Sequence, residues 1–412
     1  MLVFHSAYTF DDLEKRGLRI FVTSRDAGQF FNEVLTVSPV ASLQYPPNDP
    51  KFFTKPTFYK LNKNNTILEG KVGRFQFLKK FQLLNFVFAQ VSLFYMLIKH
   101  GGLKQVELVR AEDPRFNGIY GYVFSRLLKK PLVIGVWGNP ARIRESTNAP
   151  LAPRLFPTKS IEERVEKFIL TRASMVLAQN ADNLSFALSL GVKPERTQIL
   201  PLGIGIDSAH FLNNDERVDV SRDFRELGIL NEKVIVCISR LELSKAVDHT
   251  IWASKVIKGH LPNFKLLIIG DGREKARLEK LTQDLGVGKE VIFAGNRCQE
   301  WIAGALAKSD ISMAPLTGRA LLETALSGCP VVAYDIDWHG EIVITGKTGE
   351  LVENLNYQKL AEAAIRILQN HTIRIDMGKN IRALAFEMAN PEVIVKKQIA
   401  IYTSLTEKNN LQ

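Results

Sequence analysis

Cysteine is scarce: three in 412 residues, at positions 237, 298 and 329, with no metal-ligand spacing between them. Cys237 lies inside the apolar run VIVCIS, which predicts a small buried residue, and such usage suits a reducing cytosol rather than a disulfide framework. The opening stretch MLVFHSAYTFDD lacks the basic and long apolar regions of a signal peptide, so a cytoplasmic protein is expected. No repeat of about 20 to 50 residues and no low-complexity tract occurs, which sets aside solenoids and disordered tails. Acidic residues are in deficit, 43 Asp and Glu against 54 Lys and Arg, for a net charge of +11. Anionic partners follow, whether nucleotides, nucleic acid or lipid headgroups, and the sign alone does not choose among them.

Long apolar runs are also few. The longest, FQLLNFVFAQVSLFYMLI from Phe81 to Ile98, approaches the length that spans a bilayer. Gln82, Asn85, Ala89 and Ser92 recur at helical spacings, which predicts a buried helix with those residues on its one wetter side. What remains is alternation. From Lys233 onward, KVIVCIS, FKLLIIG, EVIFAG, DISMA and PVVAYD read as continuously apolar strands separated by helical patterns, the signature of a parallel sheet covered on both faces. The first half alternates less regularly: LVFHS, LRIFVTS, VELVRA, PLVIGVWG and SMVLAQN read as strands, with FDDLEKRG and a segment near Ser160 to Arg172 among the helices. The expected fold is α/β, two doubly wound domains, 1–206 and 207–389. Asp207 to Glu232, polar and carrying NNDER, reads as a hinge, and LNKNN at Leu61 to Asn65 as the nearest thing to a flexible insert. Asn390 and Pro391 start a helix over 390–412 whose apolar face is Val395, Ile399 and Tyr402.

In an open parallel sheet, ligands bind beyond the carboxyl ends of the strands, where helix N-termini favour anions. Arg240 and Lys245, in SRLELSK directly after VIVCI, put two cations there and suggest a diphosphate. In APLTGRALLETALSGCPVVAYD, Gly318 and Arg319 open a helix that Gly328 and Pro330 end, with Glu323 one turn inside. A carboxylate at that place suits sugar hydroxyls, as acidic residues serve ribose in dinucleotide folds; taken alone it also reads as a helix-stabilising glutamate. His5, Trp137, Asn139 and Arg142 follow apolar strands of the first half and could line the crevice, or could be a packed aromatic, a turn asparagine and surface cations. Asp335, Asp337, His339 and Glu341 read as a polar loop rather than a metal site, and GDG at Gly270 to Gly272 as a strand-to-helix turn.

The succession from Thr171 to Val352 resembles family 4 glycosyltransferases of the GT-B fold, in which two Rossmann-like domains face a central cleft. The resemblance is carried in order by LGVKPERTQILPLGIGID, SRLELSKAVDHTIWA, KLLIIGDGREKARLEKL, EVIFAGN, DISMAPL, LLETALSGCPVVAYD and EIVITGKTGELV. It implies a retaining transferase acting on a UDP-, GDP- or ADP-sugar, with Arg240 and Lys245 on the donor diphosphate and Glu323 on the ribose. The amides of Arg319, Ala320 and Leu321, following Gly318, would meet phosphate or donor sugar, and Gly295 to Trp301 would lie near the base. No metal or other cofactor is implied, and nucleic acid is not among the expected partners. Departures are visible: the family carries two glutamates separated by seven residues, but Pro315 stands eight positions before Glu323 in a shortened loop; Ser239 and Ala246 replace usual glycines; and Trp137 stands where histidine is common. The resemblance further implies a glycan or lipid-linked acceptor, domain closure over the donor, and a last helix docking on the first domain. Two other readings use the same features, a sugar-nucleotide epimerase and a non-catalytic sugar-nucleotide or membrane-binding protein. The segment LAPRLFPTKSIEERVEKFILTR mixes Arg154, Lys159, Arg164, Lys167 and Arg172 with Leu155, Phe156, Phe168 and Ile169, with Glu162, Glu163 and Glu166 offsetting part of the charge; an amphipathic helix packed on its own domain is the preferred reading, and contact with the cytoplasmic face of an anionic membrane, or with an anionic acceptor, is the alternative.

Overall fold

Two sheets organise the chain. The computed structural model describes all residues except 7, 16, 45–49, 148–149, 153–154, 202–204, 337 and 411–412. It divides into two compact units, Met1–Gly205 with Pro391–Gln412, and Ile206–Asn390.

In the first unit, strands β1 (Leu2–Phe4), β2 (Val34–Ser38), β3 (Thr57–Lys60), β4 (Asn65–Glu69), β5 (Val109–Ala111), β6 (Leu132–Val136), β7 (Met175–Ala178) and β8 (Thr197–Ile199) form one sheet in the order β3-β4-β2-β1-β5-β6-β7-β8. All neighbours are parallel except β3 with β4. Helices α1 (Phe10–Lys15), α2 (Ile20–Thr23), α3 (Gln82–Lys99), α4 (Phe116–Leu128), α5 (Pro140–Thr147), α6 (Lys159–Arg172) and α7 (Ala181–Ser189) connect them. Strands β1, β2, β5 and β6 are buried throughout because helices cover both faces, which is why β6, LVIGV, has no polar alternation, whereas the edge strands β3 and β8 are partly exposed.

In the second unit, β9 (Lys233–Ile238), β10 (Phe264–Ile269), β11 (Val291–Gly295), β12 (Ile311–Met313), β13 (Val331–Tyr334) and β14 (Gly349–Val352) are ordered β11-β10-β9-β12-β13-β14, all parallel. Helices α8 (Ser221–Glu226), α9 (Val247–Lys258), α10 (Lys275–Asp284), α11 (Gln299–Ala307), α12 (Arg319–Leu326), α13 (Tyr357–Gln369) and α14 (His371–Ala389) complete it. From β9 the chain first builds outward through β10 and β11, then reverses to β12 on the other side of β9. That reversal opens a crevice at the carboxyl ends of β9 and β12.

The last helix, α15 (Pro391–Asn410), belongs to the first unit. Ile394, Ile401, Tyr402 and Leu405 enter a core with Met1, Val3, Phe31 and Leu108. Its buried stripe is therefore rotated from the expected Val395, Ile399 and Tyr402: only Tyr402 is fully buried, and Val395 and Ile399 lie at the border.

Four sequence expectations are corrected. LRIFVTS is not a strand; Ile20–Thr23 is a helical turn, because Leu18 and Val22 enter a small core with Leu13, Leu61 and Ile67 at a spacing of four. LNKNN is a tight hairpin turn between β3 and β4. Asn62 Oδ1 accepts from the amides of Asn64 and Asn65, and the buried Asn65 side chain donates to the Thr23 carbonyl and to Asp26. Asp207 to Glu232 is not a bare hinge. His210, Arg217, Val220 and Phe224 are buried in the second unit, with the Arg217 guanidinium donating to the carbonyls of His210, Leu212 and Ala303. Finally, α3 is inverted relative to its reading: Asn85, Ala89, Leu93 and Leu97 face inward, and most of its large apolar residues face out. Asn85 can enter because both ends of its side-chain amide find partners, the oxygen accepting from the amides of Arg74 and Phe75 and the nitrogen donating to the Phe75 carbonyl.

Candidate functional site

The β9 edge of the crevice is built by close backbone packing. After Ile238 the chain runs over the turn that follows β10, with the Leu241 amide donating to the Asp271 carbonyl at 3.0 Å and the Leu241 carbonyl accepting from Glu274 at 3.0 Å. The approach is so close that a Cβ at Gly270 would stand 1.9 Å from the Ser239 oxygen and one at Gly272 2.3 Å from that of Leu241. The two glycines of GDG therefore hold the segment that carries Arg240, and no side chain fits at either place. Leu241 is sunk in the core while Arg240 is exposed. Lys245, half-buried, ends a 3-10 turn at Leu243–Lys245, and Ala246 follows at φ 49°, ψ 38°, the left-handed region, before α9 begins.

The β12 edge lies beside it in the sheet. Ala314, Pro315 and Thr317 are buried, and Gly318 precedes α12 with no side-chain cap. Two buried histidines were missed by sequence reasoning, and one of them holds this edge. His339 is buried with Nε2 3.0 Å from the Thr317 carbonyl and Nδ1 2.9 Å from the Tyr334 carbonyl, so one imidazole ties the start of α12 to the end of β13. Within α12, Glu323 is buried and its Oε1 accepts from Arg319 Nε at 2.8 Å. His210, fully buried, has Nε2 2.9 Å from Gln299 Oε1, and burial holds its imidazole below the usual range against the pull of Glu323. The sequence carried a signal for His210 only in hindsight, since it follows LGIGID in a stretch whose polarity reads as linker. His339 was visible in YDIDWHGEIV, but that stretch reads as a polar loop. Among the described residues there is no group of three or more His, Cys, Asp or Glu that could hold a metal ion; Asp337 lies outside them.

Arg240, Lys245, Gly318, Arg319 and Ala320 thus flank the reversal between β9 and β12. Leu321 is fully buried and its amide donates to the Gly318 carbonyl at 3.0 Å, which removes it from the amides a ligand could meet; Ala320 contributes a first-turn amide.

The first-unit candidates fall into two clusters. His5 follows β1, Glu112 follows β5 and Trp137 follows β6, at the corresponding reversal of the first sheet. His5 Nδ1 is 2.7 Å from Arg25 Nη2, and Arg25 and Arg110 place Nε 3.3 Å and 3.1 Å from Glu112 Oε1. Trp137 Nε1 donates to Glu112 Oε2 at 2.6 Å, and Arg110 Nη1 donates to the Tyr402 hydroxyl. Burial alone would raise the Glu112 carboxyl, but Arg110 and Arg25 hold it down at about 2. Burial, with Arg25 beside it, lowers His5 to about 3, so its ring is a neutral acceptor toward the guanidinium. Asn139 and Arg142 belong elsewhere, both on Asp182 at the start of α7: Asn139 Nδ2 donates at 3.0 Å and Arg142 Nη2 lies at 2.9 Å.

A family model described as glycosyl transferases group 1 matches residues 219–384. An exopolysaccharide phosphotransferase of Streptomyces coelicolor is 33% identical over 199 residues, covering 46% of this chain and 21% of that protein. The N-acetyl-alpha-D-glucosaminyl L-malate synthase of Bacillus anthracis is 31% identical over 197 residues, covering 46% of this chain and 51% of its own. The chain therefore spans about half or less of the length of these curated relatives. Among solved structures, Anabaena HepE in complex with UDP matches with a TM-score of 0.71 at 18% identity, over 98% of this chain and 100% of that one, which establishes the GT-B fold. With that fold around it, the match to the glycosyl transferases group 1 model runs from α8 through β14 into α14, and it is to that family that the second unit of this chain is similar.

Proposed function

We propose that the chain is a retaining glycosyltransferase. It moves a sugar from a UDP-, GDP- or ADP-linked donor to a glycan or lipid-linked acceptor, in polysaccharide or glycoconjugate synthesis. The observation that carries this reading is the placement of Arg240, Lys245 and the start of α12 at the carboxyl ends of adjacent strands β9 and β12, where the sheet order reverses. The UDP in the HepE complex is a ligand of the expected class.

In this reading the two cations stabilise charge growing on the departing diphosphate as the bond from the anomeric carbon to phosphate oxygen breaks. The acceptor hydroxyl attacks from the face the diphosphate leaves, and its proton passes to a phosphate oxygen. Glu323 accepts from ribose hydroxyls. Arg319 engages its Oε1 and fixes the carboxylate's orientation, and a carboxylate has room for further donors. His339 acts as a positioning residue, holding the Thr317 carbonyl in place. Pro315, buried at the place of the family's first glutamate, provides no carboxylate, so the donor sugar is held by other groups. Charge neutralisation by Arg240 and Lys245 asks for no divalent metal, and turnover in chelator should equal turnover with magnesium. The acceptor is proposed to be met in the cytoplasm or at the cytoplasmic face of an anionic membrane.

The test is turnover of radiolabelled UDP-, GDP- and ADP-sugars, including slow hydrolysis without acceptor. Release of nucleoside diphosphate with α-configured product from an α-linked donor is expected. Donor binding without any release would favour a non-catalytic binding protein, and recovery of an epimerised sugar nucleotide would favour an epimerase.

A further inference from the structure

Among the described residues of the first unit, none covers the outer face of α3. Leu83, Val87, Val91 and Tyr95 form a stripe at four-residue spacing, exposed by 79%, 48%, 60% and 63%. Two residues out of step with it, Asn85, Ala89, Leu93 and Leu97 face the opposite way and are buried, Leu93 and Leu97 completely. An offset of two residues is about 200° of helix rotation, so the apolar stripe points directly away from the core. Ile98 at the end of α3 and Leu127 on the neighbouring α4, exposed by 55% and 62%, extend the apolar surface. The two helices are joined by Phe94 on Phe124 and by the Tyr120 hydroxyl donating to Gln90. Scattered exposed apolar residues are ordinary, but a continuous patch of this kind marks an interaction surface.

The charge around the patch selects the partner. From Gly70 to Val106 the sequence has no Asp or Glu and carries Lys71, Arg74, Lys79, Lys80, Lys99 and Lys104. Lys79 and Lys80 stand exposed just before α3, and Lys99 and Lys104 at and beyond its end; Arg126 and Lys129 are exposed at the end of α4. An apolar stripe bordered at both ends by lysines and free of carboxylates complements an anionic lipid leaflet: apolar side chains enter the acyl boundary while bases meet the headgroups. The helix is long and apolar enough by composition to cross a bilayer, yet its inner stripe is embedded in the unit's core with Leu2, Phe4 and Leu35. Its place is along the surface.

We infer that α3, with the adjoining end of α4, is the surface by which this chain docks on an anionic membrane. The inference deepens the proposed membrane-side acceptor by naming the contact, and it relocates that contact from the α6 segment, where Glu162 and Glu166 are buried against Arg144 and Arg154 lies outside the described residues.

Flotation of the full chain with phosphatidylcholine vesicles, with and without phosphatidylglycerol, tests it. Binding is expected only with phosphatidylglycerol and should weaken as salt rises. Leu83→Ser, Val91→Ser and Tyr95→Ser together, all at exposed positions, should cut it at least tenfold with an unchanged melting temperature. Lys80→Gln with Lys99→Gln and Lys104→Gln should reduce it severalfold. Donor hydrolysis in solution should be unaltered in both variants, so failure of docking and failure of the transferase reading register in different assays. Unchanged flotation in the serine variant overturns the inference. So does a wild-type dimer that ignores vesicles and becomes monomeric in that variant, which would assign the face to a second copy of this chain.

Discussion

The two sheets reverse at the same kind of place and treat it in opposite ways. In the first unit, the carboxyl ends of β1, β5 and β6 are filled by the protein's own polar groups: His5, Arg25, Arg110, Glu112 and Trp137 contact one another, and Tyr402 of α15 joins the network. In the second, the end of β9 presents an exposed Arg240 and a half-buried Lys245, beside a helix start capped by no side chain. One edge is closed by a buried network of internal partners, and the other leaves the Arg240 side chain exposed. Topology supplies the crevice; the residues placed in it decide whether it is structure or site.

The largest effect expected from breaking this contrast is on stability. Glu112→Ala strips the shared carboxylate from two buried guanidinium groups, and breaking a buried pair typically costs about 3 to 5 kcal/mol. Urea unfolding should show that loss, while the equivalent change at exposed Arg240 should leave stability unaltered. Acid should act on the same network. Both His5 and Glu112 have folded values below their unfolded ones, so their stabilisation is complete above the unfolded values and is lost as pH falls. For His5 the loss runs from about 6.5 down to about 3, and for Glu112 from about 4.3 down to about 2. Thermal melts from pH 7 to 4 should decline by an amount on the order of 3 kcal/mol, and His5→Gln should flatten most of that slope.

At the other edge the effects should be functional. Arg240→Ala and Lys245→Ala each remove a charge-assisted contact worth about 1.5 to 3 kcal/mol. Donor affinity or kcat/KM should fall by roughly tenfold or more with melting unchanged, and wild-type kinetics in both variants would return these residues to the surface. Glu323→Gln should weaken binding of nucleoside diphosphate alone in calorimetry by about 1 kcal/mol. The smallest change is Ala246→Gly. It relieves a left-handed alanine, a strain of roughly 1 to 2 kcal/mol, but adds backbone freedom in the unfolded chain, so a net gain under about 1 kcal/mol is expected in urea melts.

How much of this was legible differs between the units for a physical reason. The second sheet's strands are apolar runs of up to six residues between amphipathic helices, and KVIVCI or FKLLII carries its own assignment. The first unit hides its strands: β1 and β5 have three residues each, and LRIFVTS has strand composition but helical burial. Arg240 stands out in the sequence because an exposed cation just after a buried strand is a local pattern, with Lys245 five residues on. The His339 bridge to Thr317 joins positions 22 apart, and the Arg25, Glu112 and Tyr402 network joins three distant segments, so neither leaves a local trace. The inversion of α3 shows the limit of periodicity, which identified two faces but not which one the core would take; the outcome turned on Asn85 finding three backbone partners.

The route of the chain through the first unit has a consequence for its biosynthesis. The chain leaves that unit at Gly205 and re-enters it only at Pro391, and Tyr402 meets Arg110 across 292 positions. At about 5 to 20 residues per second, the intervening polypeptide takes on the order of 15 to 60 s to synthesise. Throughout that interval Met1, Val3, Phe31 and Leu108 wait without the helix that covers them, whereas the second unit is one uninterrupted segment. The half made last can therefore finish folding first, and the nascent first half is the part that needs protection from aggregation on the ribosome.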